Sequence, residues 1–562
     1  MSPYSVSLLL LGVAFIAGCS DGGTGPILPP STDCTAVAPT NLAVGASTVI
    51  DASQTPCIRL PAAGSGGAEY IYAALATDAT ETASGVTADY KLQGNGSGTA
   101  VVASAARVRS GPQKPNVPAA FHAMLRARER ALSERTGAAS FARGTAATVV
   151  APTPPAVGDK RNFEVCSTTA CDAFVTRAAT AKVAGVGHRV AIYLDDTVPS
   201  GGYTQTDLDK VGELFDNHLY PIDTTAFGRE SDLDNNGVVV VLLTPSVNAL
   251  TPDCNTSGTV ILGYFFGLDL LPGQAHSNDG EVFYGLVPDP GNSACDISLG
   301  FATAFLPPTF IHEFQHMISF NQHVLVGKGT AEDTWLNEGL SHFAEELGGR
   351  LIPDTECQPS FPNCESQFEQ GDVINSYAFL DSLELKFLIE PGNSNGTLAE
   401  RGGNWLFVRW LADHFASTQP TGTELTRALV QTSRHGSANI EAVTGENFST
   451  LIGQWQLANY LDDLPNFTPV SDRLQYSSFN FRALYQSLFD SAAVDKPYPL
   501  TPDVAGAGTY TSTGTLRAGS GHHVSIVQQP LDGEVTFLLT GPGGTSALPA
   551  AVKPRVAIAR IR

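Results

Sequence analysis

The chain has 562 residues, a formal net charge of −23 and only 15% charged residues. That length is too great for one hydrophobic core and points to about three or four units. An acidic chain with no basic stripe repels nucleic acid and anionic lipid headgroups, so neither is expected as a partner.

The N-terminus reads MSPYSVSLLLLGVAFIAGCSDGG. Its apolar run over residues 8–17 is too short to span a bilayer and fits the core of a signal peptide covering residues 1–18. The run ends in Ile16-Ala17-Gly18-Cys19, which resembles the lipobox of bacterial lipoproteins, although no Lys or Arg precedes it. The resemblance implies cleavage before Cys19, lipid on its sulfur as the sole membrane attachment, and a place at the outer membrane or cell surface. An ordinary secretory signal would export the chain without the anchor.

Residues 19–33 form a Gly/Pro/Ser tether. Residues 34–108 carry short alternating runs, EYIYAALA and ADYKLQG, and predict a small β domain. Residues 109–157 read as a linker whose basic stretch at 120–136 predicts one helix, either a connector or part of a removed propeptide. The unit over 158–500 opens with RNFEVC and a helix expected around 171–184. The strand HRVAIYLDD, a helix near 205–219 and the strand VVVVLLTP follow, then VILGYFFGLDLL and EVFYGLVPDP. Beyond these the pattern turns helical. Strands first and helices later predict an α+β layout. Residues 501–562 predict a second β domain, and AGSGHHVSIVQQPL within it aligns weakly with AGSGGAEYIYAALA near the start.

There are nine cysteines. With Cys19 set aside for lipid, eight remain in near-neighbour couples: Cys34/Cys57, Cys166/Cys171, Cys254/Cys295 and Cys357/Cys364. An even number in an exported chain predicts disulfides, and neighbour pairing is the expectation among the 105 pairings that eight cysteines allow.

The chemistry concentrates at FIHEFQHMISFNQH, from Phe310. A helix expected from Thr309, just after Pro307 and Pro308, puts Ile311, Phe314 and Ile318 on one side and His312 and His316 on the other. Residues four apart stack, so both imidazoles can reach one ion, and Glu313 beside them can hold a water. His323 lies seven residues beyond His316, roughly 10 Å along an unbroken helix, which is too far for zinc bonds of about 2 Å. The metzincin route to a third histidine fails too, because Ser319 and Gln322 stand where it needs Gly and His.

Downstream, TAEDTWLNEGLSHFAEELGG predicts a second helix with Leu336, Leu340, Phe343 and Leu347 as its apolar face. Glu338, His342 and Glu345 share the opposite face, and each could complete the site. The loop through Gly327 and Gly329 allows the reversal.

HEFQH followed by WLNEG resembles the gluzincins. HEFQHMISFN with TWLNEGLSHFAEEL, together with DLDNNGVVVVLL and GNWLFVRWLADHF, is more closely similar to the peptidase family named after hyicolysin. The likeness covers roughly residues 155–420. It implies a zincin-like catalytic domain, flanked here by β-sandwich modules, with zinc on His312, His316 and Glu338 and Glu313 as general base. The implied activity is hydrolysis of peptide or protein substrates, endopeptidase in type, through water activated at the zinc. A zinc exopeptidase, or a non-catalytic surface-binding lipoprotein on the same scaffold, are the alternatives. His342 is then expected behind the ligands or on the substrate side. Tyr377 is a candidate oxyanion donor, and EVFYGLVPDP a candidate edge strand for an extended substrate.

Asp232, Asp234 and Asn236, in DLDNNG, match the first half of a calcium loop. The twelfth position is Leu243 rather than Glu, which excludes a full EF-hand.

Overall fold

The computed structural model describes residues 33–98, 116–140, 153–185, 187–392 and 397–562. The signal peptide, Cys19 and almost all of the tether lie outside them. Among the described residues no helix is long and apolar enough to cross a membrane.

In chain order, β1 (Ser47–Asp51), β2 (Cys57–Leu60), β3 (Ala68–Ala76) and β4 (Thr87–Gly96) precede the long helix α1 (Val117–Ser140). A second strand set follows: β5 (Lys160–Cys166), β6 (Phe174–Val183), β7 (Val190–Asp195), β8 (Val239–Leu243), β9 (Gly263–Phe265) and β10 (Val282–Gly285). Helices α2 (Gln205–Leu214) and α3 (Tyr220–Ala226) lie between β7 and β8. The helical part carries α4 (Leu299–Phe320), α5 (Thr334–Leu351), α6 (Gln370–Asp381), α7 (Leu398–Phe415) and α8 (Phe448–Leu461). The chain closes with β11 (Asp503–Gly506), β12 (Tyr510–Arg517), β13 (Gly521–Gln528), β14 (Val535–Thr540) and β15 (Pro554–Arg560). The chain is thus mixed, with strands and helices largely segregated, an α+β arrangement.

The two expected β modules are one. The strands form a sheet β1-β15-β3-β13-β11 facing a second, β12-β4-β14-β2. Each strand from the N-terminal stretch pairs with strands more than 400 residues away, as in Tyr72↔Val524 and Tyr90↔Gly514. Inward residues of both sheets, among them Tyr72, Leu92, Ile526 and Phe537, share one core. The two stretches that align weakly with each other become β3 and β13, neighbours in one sheet.

The middle sheet runs β5-β6-β7-β8-β10-β9. β7, β8 and β10 are mutually parallel, and β9 is antiparallel to β10 at the edge. β6 replaces the helix expected at 171–184. Its Ala-rich sequence has helical propensity, but its later residues alternate between buried and half-buried, and the ladders to β5 and β7 decide the outcome. β10 is interior, between β8 and β9, so EVFYGLVPDP does not offer an edge; β9 does.

α4 starts ten residues before Thr309, with Ser298 as its cap. It passes through Pro307 and Pro308, which ordinarily stop a helix because each lacks an N–H and crowds the preceding turn. Here the Ala304 carbonyl that Pro308 cannot serve is taken by Gln367 Nε2 at 2.7 Å, and the Thr309 hydroxyl donates to the Phe305 carbonyl. The turn after α4 closes with Gly327 and Gly329 donating to the carbonyls of Gln322 and His323. α5 then runs to Leu351.

Four disulfides join Cys34–Cys57, Cys166–Cys171, Cys254–Cys295 and Cys357–Cys364. The Cys254–Cys295 bridge spans 41 residues and encloses β9 and β10. In the chain-entropy account a loop of that length stabilises by on the order of 4 kcal/mol.

Candidate metal centre

α4 and α5 carry the centre. Ile311, Phe314 and Ile318 on α4, and Leu336, Leu340, Phe343 and Leu347 on α5, are fully buried. The polar faces of the two helices are thereby turned to each other. Close approach of α7 to α5 depends on Gly339, where a Cβ would lie 2.8 Å from the Asn404 carbonyl oxygen. Any larger residue after Glu338 would lever that carboxylate out of place.

His312 Nε2 and His316 Nε2 lie 3.1 Å apart. Glu338 brings its two carboxylate oxygens to 3.7 Å from His312 Nε2 and 3.8 Å from His316 Nε2. Both Nδ1 atoms face oxygen acceptors: Glu345 Oε1 at 2.7 Å for His312 and Asn337 Oδ1 at 3.2 Å for His316. Each imidazole therefore carries its proton outward and turns a bare Nε2 inward. Burial holds His316 well below the usual histidine range, which keeps it neutral. Two lone pairs and a carboxylate converging in a buried space are a donor set for a cation. Tetrahedral zinc with bonds of 2.0–2.1 Å needs ligand atoms about 3.3 Å apart, close to the spacing seen, so the residues fit a zinc ion. Arg401 Nη1 stands 3.0 Å from Glu338 Oε2, and this pairing keeps the Glu338 carboxyl below its usual range against the effect of burial.

Glu313 sits beside the convergence. Its Oε2 accepts from the Phe265 N–H of β9 at 2.7 Å, and its Oε1 lies 3.5 Å from His122 Nδ1. Burial raises its pKa, and the positive charge of Arg126 opposes that. His342 faces Asp372 at 2.7 Å and Glu345 at 2.9 Å. Burial works against its protonation, but the two carboxylates outweigh it and push its pKa up to about 10. His342 brings a nitrogen close to His312 and Glu338, while its Nδ1 is turned to Asp372 and Glu345. Glu345 backs His312 on the side away from the convergence. His323 is buried elsewhere, 3.6 Å from Glu332. The Tyr377 hydroxyl is exchanged with the backbone of Lys496 and lies outside the site.

Helix α1 was expected as a linker and is instead a wall of the site. His122, Arg126, Glu129 and Ser133, at spacings of four, three and four, are all buried. Arg126 Nη2 donates to the Phe265 carbonyl at 2.6 Å, and Glu129 accepts from Gly267 N–H at 2.6 Å. Arg401 reaches across to the Ala119 carbonyl. The polar i, i+4, i+7 stripe within a basic stretch is the signal that could have revealed this docking. A cleft of ≈ 390 Å³ opens between this helix, the segment before β9, α4 and α6–α7, lined by His312, Glu313, His342 and Arg401 with Leu262 and Phe305.

The DLDNNG segment lies apart from this centre. Asp232 and Asp234 come together with Glu281, while the Asn236 side-chain oxygen turns away to accept from Val238 N–H.

No family model matches the chain. Over 185 residues it is 31% identical to the neutral metalloprotease ShpI of Staphylococcus hyicus. The aligned part makes up 31% of this chain and 40% of that protein, so the chain spans less than half of the relative's length.

Proposed function

We propose that the chain is a zinc metallopeptidase of gluzincin type, with a zincin-like catalytic unit that cuts within peptide or protein substrates. The observation that carries this reading is the convergence of the Nε2 atoms of His312 and His316 and the Glu338 carboxylate, with Glu313 alongside. A zinc ion held by His312, His316 and Glu338 would supply Lewis acidity towards a water and a peptide carbonyl. Glu313 accepts the proton of the attacking water and returns it to the leaving nitrogen; burial raises its pKa, which makes it a stronger base for the first half of that exchange. The similarity to a neutral metalloprotease supports the same chemistry.

Substrate binds as an extended strand along β9. Phe265 already gives its outward N–H to Glu313 and its outward carbonyl to Arg126, so pairing uses Gly263, two residues earlier on the same edge, and the segment before it. Four disulfides fit an oxidising compartment outside the cytosol. Export with a lipid on Cys19 completes the reading, and that residue lies outside the described part.

The test is zinc content and casein digestion measured on the same preparations. Glu313→Gln is expected to keep zinc and to lose hydrolysis by at least 100-fold. Glu338→Gln is expected to lose zinc. Full hydrolysis by Glu313→Gln would end the peptidase reading, and unchanged zinc in Glu338→Gln would require another third ligand. Wild-type protein that holds zinc but cleaves no peptide would favour a binding role.

A further inference from the structure

We propose that Asp232, Asp234 and Glu281 form a calcium site that ties the loop before β8 to the start of β10. Glu281 is the residue that local sequence could not supply, because it stands 47 positions beyond Asp234. Each of the three brings a carboxylate oxygen within 4.8 Å of the other two. That spread is one that an ion with Ca–O bonds of about 2.3–2.6 Å can bridge.

An acidic cluster alone would carry nothing, and Glu281 is what distinguishes this one. It has no exposed surface. Its Oε1 accepts from the Ser231 hydroxyl and from Leu233 N–H, both in the loop, while its Oε2 is buried without a partner. A buried carboxylate oxygen left unpaired costs several kcal/mol unless a proton or a cation meets it. Burial pushes the Glu281 carboxyl up to about 7, so near neutrality the position is poised between those two outcomes.

The surroundings define the rest of the site. Asp232 accepts from Gly237 N–H at 3.1 Å, and Asp234 from Asn236 N–H and Nδ2. These bonds fix the orientation of both carboxylates. Among the described residues, the cation paired with them is Arg161, 3.6 Å from Asp234 Oδ2, against three carboxylates. Residue 280 is glycine, and a Cβ there would come 2.9 Å from Asp234 Oδ2, so the strand approach and the loop meet without an intervening side chain. Oxygen-only donors in a loop with flexible spacing favour calcium over magnesium, which demands a tighter octahedron. β10, which starts one residue after Glu281, pairs with β9, whose Phe265 N–H holds Glu313. An ion here therefore stiffens the wall on which the metal centre depends.

The experiment uses the full chain, dialysed free of calcium with its zinc content verified, and titrated with calcium chloride while thermal unfolding is followed. The melting temperature is expected to rise by roughly 2–4 °C at saturating calcium. Magnesium at the same concentration is expected to give less than half of that rise. Glu281→Gln and, as a more exposed second variant, Asp234→Asn should keep their zinc and lose the calcium-dependent rise. The absence of any rise in the wild type, or an equal rise in both variants, would overturn the site. Zinc content and casein digestion, recorded in parallel, separate this outcome from failure of the peptidase reading.

Discussion

At the scale of single residues, the proposed zinc site depends on groups that are not among its proposed ligands. Glu345 and Asn337 hold the Nδ1 protons of His312 and His316 and so decide which nitrogen is bare. Replacing either by alanine should lower zinc affinity about 10–100-fold, with Glu345→Ala the larger because a carboxylate also raises ligand basicity. Competition against a colorimetric chelator reads this directly, and unchanged affinity in both variants would mean that the ring orientation is fixed by packing alone. The two histidines and Glu313 were legible because a four-residue spacing on a helix is a local geometric fact. Glu338, His342 and Glu345 were legible only as a set sharing one helix face. Distinguishing a ligand from its support needs the position of His312 across the gap. His122 and Glu281 were not legible, because what makes them significant is a contact with residues far along the chain.

At the scale of elements, α1 shows how a segment can be read correctly as a helix and wrongly as a spacer. The helix covers the end of the outer edge of β9 and the residues just after it, serving the Phe265 carbonyl through Arg126 and the Gly267 N–H through Glu129. Arg126 and Glu129 also pair with each other at 3.0 Å, both almost fully buried. Burial raises Glu129 to about 7 even so, with Arg126 as its main opposing influence. Arg126→Met removes one member of a buried pair, a change that costs about 3–5 kcal/mol, and leaves the Phe265 carbonyl unserved. The expected result is faster hydrogen exchange across α1, with the amides of α4 and α5 still protected. Uniform loss of protection over all three helices would show instead that α1 is integral to the core. β6 makes the opposite point. Ala-rich sequence suggested a helix, and pairing on both edges imposed a strand, because ladder bonds and alternate burial outweigh an intrinsic preference of a few tenths of a kcal/mol per residue.

At the scale of the whole molecule, the two ends of the chain make one sandwich, and the peptidase-like unit is inserted between them. Local pattern reports strands but not their partners, so the sequence suggested two small modules where the fold has one. Every ladder of the sandwich except β11–β13 joins a strand from before α1 to one from after α8. A chain ending at residue 500 would therefore keep β1–β4 with no ladder among them, and each would expose two unpaired edges. The damage would spread inward. Ile71 and Leu75 on β3 and Ala557 and Ala559 on β15 belong to the same buried cluster as the helices of the metal centre. Gln456 on α8 also donates to the Gly519 carbonyl and accepts from His523. The truncated chain is accordingly expected to aggregate on expression and to bind little zinc. Co-expression of residues 501–562 as a separate fragment should restore solubility, since the missing partners are strands rather than a covalent link. A soluble truncated protein with wild-type zinc content and melting temperature would show that the inserted unit folds alone, and the sandwich would then be an accessory rather than a structural base.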